Sequence, residues 1–251
     1  MIQEDRLQTL SKFLVAQKHM SISQKYTVWD EHDNAVLYVE RPSHVMKSLM
    51  AILGAVVAGG LAWGAFGTAS AYVPKGPAQD GLIVLTVLAG LAAMLMALVR
   101  FMPKRHISFF SDEARTDKLF EVLQDKNFEL LTATYTMIDT AGQTLVKFRK
   151  NYLSNIFRKR WHCTDPGGRM LFVALEDSVL KSILRRLFGP LFGLLRTNFH
   201  FMTGERKLGE FNRKMTLLDK YVLDLSDDRM NALDRRIAIA MGVMLDTAER
   251  R

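Results

Sequence analysis

Two long uncharged runs constrain this chain more than any other feature. Residues 48–74 form a stretch of 27 without a charged side chain, and residues 81–99 form one of 19. A helix needs about 20 apolar residues to cross the hydrocarbon core of a bilayer, so both runs are long enough. Only Lys75-Gly-Pro-Ala-Gln-Asp80 separates them. Buried helices of soluble proteins are mostly shorter and amphipathic. A secretory signal has a short apolar core close to its start, whereas the first run here follows a charged, polar stretch. The pattern predicts a transmembrane helical hairpin over residues 45–102.

The flanks set its orientation. Arg41, His44 and Lys47 precede the first run, and Arg100, Lys104 and Arg105 follow the second, while the link offers only Lys75 beside Asp80. Positive residues stay on the cytoplasmic side. Both ends of the chain are therefore expected in the cytoplasm, with the hairpin in the plasma (inner) membrane and Trp63 and Tyr72 at interface level. Gly60 and Gly64 stand four apart, as do Ala55 and Gly59, a spacing that lets helix backbones approach. Packing within the hairpin is the favoured use of Gly60 and Gly64, and a homodimer is the alternative.

Charge is unevenly distributed. The net charge is +8, yet residues 1–99 hold 7 Lys/Arg and 7 Asp/Glu, so the whole excess lies beyond them. Residues 147–214 alone hold 15 Lys/Arg against 5 Asp/Glu. A basic surface beside an anionic leaflet gains about 1 kcal/mol per Lys or Arg near the surface. Nucleic acid is the usual rival for such a patch, and the anchor favours lipid headgroups over it. The single cysteine, Cys163, excludes an intrachain disulfide and a cysteine-built metal site, and suits a reducing compartment.

Outside the apolar runs, short alternating segments broken by turn residues read as an antiparallel meander. Candidate strands are 26–29, 35–40, 106–110, 118–123, 127–138, 144–150, 159–164, 169–176, 197–202, 207–215 and 221–225. Asp139-Thr-Ala-Gly142 and Asp165-Pro-Gly-Gly168 are strong turns. A two-stranded hairpin is marginal in water, so the strands before the apolar runs are expected to join the later sheet. The expected organisation is a polar helix or tail over 1–21, the first β-hairpin over 22–44, the inserted helical hairpin over 45–102, and the remaining strands over 103–251. Residues 230–249 carry helical periodicity, and 237–245 are apolar all round, as in a helix buried on every side. The expected fold is mainly β, a closed antiparallel barrel around that C-terminal helix.

Three stretches resemble the superfamily of the tubby C-terminal domain, LURP-one-related proteins and phospholipid scramblases. They are Lys25-Tyr-Thr-Val-Trp-Asp with Asn34-Ala-Val-Leu-Tyr, the repeated strand-turn-strand pattern around the two strong turns, and the ending Leu233 to Asp246. The resemblance implies a barrel of about twelve strands (closure also removes edge strands) around a hydrophobic C-terminal helix. Scramblases carry an acidic segment, proposed to bind calcium, before that helix. Asp224, Asp227, Asp228 and Asp234 stand in that place here, without the spacing, glycine or final glutamate of an EF-hand. A solvated acidic turn, or Asp228 as an N-cap, is the favoured reading.

Two basic stretches are candidate lipid sites. The first is Lys147, Arg149, Lys150, Arg158, Lys159 and Arg160, interleaved with Tyr152, Phe157 and Trp161, where cations and interfacial aromatics suit anionic headgroups. Tubby-like domains are similar in binding such lipids through basic residues. The second is a basic amphipathic segment over 178–196 that includes Arg185 and Arg186 and suits a membrane interface. The histidines show no metal-ligand spacing, no glycine-rich phosphate loop or nucleophile elbow occurs, and His162 and Cys163 are adjacent and so face opposite ways on a strand. The expected protein is non-enzymatic, without cofactor or metal, and binds membrane phospholipid. A scramblase-like lipid transporter and a membrane-tethered interaction scaffold are the alternatives.

Overall fold

The computed structural model describes residues 7–18, 23–127, 131–156, 158–177, 198–214 and 220–249. Twelve of the elements are strands: β1 (Lys12–Lys18), β2 (Gln24–Trp29), β3 (Ala35–Arg41), β4 (His106–Phe110), β5 (Lys118–Gln124), β6 (Thr132–Asp139), β7 (Thr144–Asn151), β8 (Arg160–Thr164), β9 (Met170–Glu176), β10 (Phe199–Thr203), β11 (Arg206–Arg213) and β12 (Lys220–Asp224). Each pairs antiparallel with its neighbours in sequence, and β1 pairs with β12 to close a barrel.

The N-terminal segment corrects the sequence reading, which expected a polar helix or tail over 1–21. Lys12–Lys18 is a strand, with Phe13 and Val15 facing the core. Its pairing explains why it is needed. In an up-and-down meander, β2 and β12 run the same way, so without β1 the seam would be parallel. One more strand makes the count even and every ladder antiparallel. A short apolar run between lysines shows no such requirement by itself.

Three hairpins share one turn. In Asp30–Asn34, Asp139–Gln143 and Asp165–Arg169 the first residue's N–H donates to the carbonyl of the fifth, at 2.9, 3.0 and 2.9 Å. The fourth residue is left-handed: Asp33 at φ 59°, Gly142 at 78° and Gly168 at 88°. This is the three-residue loop with a bulge that follows the strand twist. The leading aspartate carboxylate accepts a backbone N–H from inside each turn, at 2.8–2.9 Å. A β-carbon in the left-handed region costs about 1–2 kcal/mol. Gly142→Val is therefore expected to lower the thermal midpoint by about 3 °C, measured by near-ultraviolet circular dichroism on the full chain.

Alternation along the strands puts Tyr26, Val28, Phe109, Phe120, Phe148, Trp161, Phe172 and Phe201 into one apolar cluster. That cluster includes residues of the C-terminal helix, here α3 (Arg235–Glu249). Ala238, Ile239, Ala240, Met241 and Val243 are fully covered. Gly242 lies against a ring, for a Cβ there would stand 2.8 Å from Phe211. Asp246 is buried and accepts hydrogen bonds from the Tyr26 and Tyr221 hydroxyls, so its polar head is satisfied within the apolar interior.

The helix begins later than the sequence suggests, and with a different cap. Asp234 accepts the Arg236 N–H at 2.8 Å, and its carbonyl accepts the Ala238 N–H at 3.1 Å. Asp228 is neither the N-cap nor solvated. It is buried and bonded to the Ala232 and Leu233 N–H groups at 3.0 Å each.

The second compact unit, residues 44–104, holds two helices, α1 (Val45–Ala71) and α2 (Pro77–Phe101). Both are long and apolar enough to cross a membrane. They meet through small residues, of which the sequence reading named Ala55 and Gly59 but favoured Gly60 and Gly64. Ala51 and Ala55 of α1 are buried, as are Thr86, Gly90 and Ala97 of α2. A Cβ on Gly59 would stand 3.2 Å from the Gly90 carbonyl oxygen. The packing stripe is therefore Ala51, Ala55 and Gly59. Gly60 and Gly64 lie off it, with nothing within 4 Å of a built Cβ. The buried Thr86 hydroxyl donates to the Leu82 carbonyl at 2.8 Å, which meets its need for a partner.

Candidate functional site

The first basic stretch divides between the two faces of the barrel wall. Val146, Phe148 and Lys150 of β7 are buried, whereas Lys147 and Arg149 are exposed. On β8, Trp161 and Cys163 are buried, and Arg160 is exposed. Lys150 opposes Trp161 in the ladder. Its ammonium lies 5.4 Å from the Trp161 ring and 5.2 Å from that of Tyr152, within cation–π range. Lys150 and Trp161 are thus corrections to the expected lipid-contacting set. Strand alternation turns both inward, so neither is presented to a surface.

Lys147, Arg149 and Arg160 remain together on the outside. Arg149 opposes His162, and Lys147 opposes Thr164. On one flank β6 sets Thr134 beside Arg149 and Thr136 beside Lys147. On the other, β9 sets Val173 beside His162 and Leu175 beside Arg160. No carboxylate stands among these neighbours, and no ion pair reaches the three cations from the described residues. Elsewhere the barrel pairs its cations: Lys12 with Asp224 at 3.2 Å, Lys118 with Glu121 at 3.0 Å, Lys207 with Glu210 at 2.7 Å.

Arg158 and Lys159 are half-buried and tied to the end of β9. The Arg158 Nε donates to the Glu176 carbonyl at 2.6 Å, and the Lys159 N–H to the Glu176 carboxylate at 3.1 Å. The Arg160 N–H donates to Asn155 at 2.8 Å. These bonds hold the entry to β8 and aim the Arg160 side chain outward. Arg185, Arg186, Phe157 and the amphipathic segment over 178–196 lie outside the described residues.

Closure of the barrel adds cations that sequence order keeps apart. Odd-numbered strands end, and even-numbered strands begin, at one rim. The chain leaves the barrel there after Arg41 and returns at Arg105. Arg158, Lys159, Arg160, Arg213, Lys214 and Lys220 occupy the same rim. The turns of the opposite rim carry Asp30, Asp112, Asp139, Asp165 and Asp224, whose carboxylates accept local hydrogen bonds. The rim of Arg41 and Arg105 is the more basic of the two, although Asp125, Glu176 and Asp177 stand on it and Lys12, Arg115, Lys118 and Lys207 stand on the other.

Arg41 and Arg105 also share a small recess at the basic rim, walled by Tyr135, Met244 and Thr247. The Arg41 Nη1 donates to Gln24 at 2.8 Å and to the Thr247 carbonyl at 3.3 Å. Burial, and then the neighbouring Arg105, lower the Arg41 pKa from its usual value. In the sequence these two arginines are only topology signals, separated by the apolar runs. Antiparallel pairing of β3 with β4 brings them together.

His162 is the residue most plainly missed. Its ring sits on the outer face between Arg149 and Arg160. Burial, then Arg160, then Arg149 lower its pKa below the ordinary histidine value. Its Nδ1 is covered and meets no hydrogen-bond partner. Cys163, on the opposite face, is buried, and burial pushes its thiol pKa up, so the two do not act as a nucleophile and base. Among the described residues no three His, Cys, Asp or Glu side chains gather as a metal site. Comparison of the chain with protein-family models, with curated proteins and with solved structures finds no match.

Proposed function

We propose that this chain is a membrane-anchored barrel of the tubby and scramblase-like kind, closed around its C-terminal helix, whose basic surface holds anionic phospholipid headgroups without catalysis. One observation carries the reading: the chain departs into two apolar helices from a rim that carries Arg41, Arg105, Arg158 and Arg160. Leu61, Trp63 and Leu88 of those helices are 71%, 61% and 57% exposed within a continuous apolar surface, far beyond the patches soluble monomers display. At 27 and 25 residues, the helices reach about 40 Å and suit a bilayer as solvent.

The tether is short. Residues 42–44 separate Arg41 from α1 and extend about 10 Å at most, comparable with the Debye length of about 8–10 Å. So short a tether keeps Arg41, at the end of β3, close to the start of α1. The flanking arginines and lysines favour the cytoplasmic leaflet. A lipid-translocating role finds less support, since the cores of both apolar runs lack the ionisable residues that polar pathways use.

The test uses the full chain in mixed phosphatidylcholine and phosphatidylglycerol bilayers, with spin-labelled lipids reporting what is held next to the protein. Phosphatidylglycerol is expected to be held in preference. Equal restriction of the two lipids would overturn the reading.

A further inference from the structure

We infer that Arg149, His162 and Arg160 form one oxyanion subsite, in which binding of a phosphate-type anion is coupled to proton uptake by His162. The inference rests on the proposed headgroup-binding role for the source of the anion, and on the β7–β8 face for its geometry. Register puts Arg149 directly opposite His162. Arg160 is two residues before His162 on the same side of β8, so three nitrogen-bearing heads share one outward patch.

Among the described residues, the charged surroundings of His162 are all of one sign. Its own strand contributes Arg160, with Thr164 beyond it. Strand β7 contributes Arg149 and, diagonally, Lys147. Strand β9 sets Val173 opposite it, and the outward residues Leu171 and Leu175 are apolar. Two guanidiniums that stay charged at any ordinary pH therefore oppose a third positive charge, and among the described residues no carboxylate offsets them.

The ring has no internal help either. Its Nδ1 is covered and meets no acceptor, so the protein supplies no hydrogen bond there to offset protonation, and an outside anion acts on the ring by its charge. An anion within about 4–6 Å does that and raises the histidine pKa. The sign follows from linkage. A group whose pKa is higher in the complex favours the complex below that pKa, so the anion binds more tightly as pH falls. A rise of one pKa unit corresponds to about tenfold in affinity between the two protonation states. The free patch holds two permanent charges, and the occupied patch holds three.

The experiment follows the six histidines by NMR in the full chain held in neutral detergent micelles, with His162→Asn to assign the signal. Sulfate is the probe, because it stays a dianion across the titration. The His162 pKa is expected to rise by about one unit at saturating sulfate, while His32, in a turn of the opposite rim, does not move. An Arg149→Gln/Arg160→Gln variant loses the shift. No shift at His162, an equal shift at His32, or a shift that survives the double substitution would overturn the subsite. A second arm places the full chain in bilayers with and without phosphatidylglycerol. A rise specific to the anionic bilayer identifies a lipid phosphate as the anion, and a rise with sulfate alone identifies a soluble one; both uphold the subsite. If phosphatidylglycerol is preferred but the His162 pKa stays fixed, the subsite fails and the headgroup reading stands.

Discussion

Asp228→Ala lowers the thermal midpoint of the full chain by about 10 °C. The Asp228 carboxylate accepts from Arg235 Nη1 at 2.7 Å, and the two side chains are 0% and 2% exposed. Each is satisfied by further bonds. Asp228 takes the Ala232 and Leu233 N–H groups. Arg235 donates to the carbonyls of Leu10 and Leu233 at 3.0 Å and to the Asn231 side chain at 2.6 Å. The pair thereby ties the start of α3 to the turn before it and to the segment leading into β1. Removing one member of a buried pair leaves the other uncompensated and costs about 3–5 kcal/mol. At about 2–4 °C per kcal/mol for a domain of this size, the shift follows.

A double-mutant cycle separates the broken pair from lost packing. Asp228→Leu with Arg235→Met removes both charges and is expected to cost less than either single change. A fall below about 2 °C for Asp228→Ala would show that the pair does not hold the turn. The pH dependence has a defined sign. Burial pushes the Asp228 pKa up, but hydrogen bonds from Leu233, Arg235 and Ala232 outweigh it and leave the pKa below the usual value. A depressed carboxylate stabilises the fold above its unfolded pKa, and the contribution disappears as pH falls through the folded value. The acid limb of the stability profile is therefore expected below about pH 4, and Asp228→Asn should flatten it.

The second large effect is on lipid selectivity. Lys147→Gln, Arg149→Gln and Arg160→Gln together should reduce the preference for phosphatidylglycerol at least tenfold in the spin-label measurement. Each cation near an anionic surface contributes about 1 kcal/mol, and 1.4 kcal/mol is a factor of ten. The three are exposed, lack acidic partners among the described residues and sit outside the apolar cluster, so the fold should tolerate their neutralisation with surface-level changes of about 0.5 kcal/mol or less. Salt supplies an independent check, since screened attraction weakens as the Debye length shrinks. The same triple change at Lys12, Lys118 and Lys207, whose charges are already paired, should leave the selectivity within about twofold. If both triples behave alike, net charge alone attracts the lipid and the β7–β8 face has no special role.

Strand positions were largely legible because period-two alternation is a local property of the chain. The stretch 106–110 coincides with β4, and the bounds of β5, β7, β8 and β12 fall within a residue or two of those read from alternation. The two apolar helices were legible from length alone. The candidate site was only half legible. Lys147, Arg149 and Arg160 belong to it, whereas Lys150 and Trp161, one position away from them in sequence, point the other way. A run of basic residues on a strand must divide between faces, and composition does not say which side is the core.

What the sequence determined by itself is the alternation, the turns and the two uncharged runs, because each depends on residues close together in the chain. Closure decided the rest. It made Lys12–Lys18 the strand that evens the count, joined Arg41 to Arg105 across the intervening helices, and placed His162 between two arginines. It also gathered Arg41, Arg105, Arg158 and Lys220 at one rim. These relations depend on which strands become neighbours and which way each runs, and both are fixed only when the last antiparallel ladder, β1 with β12, is formed.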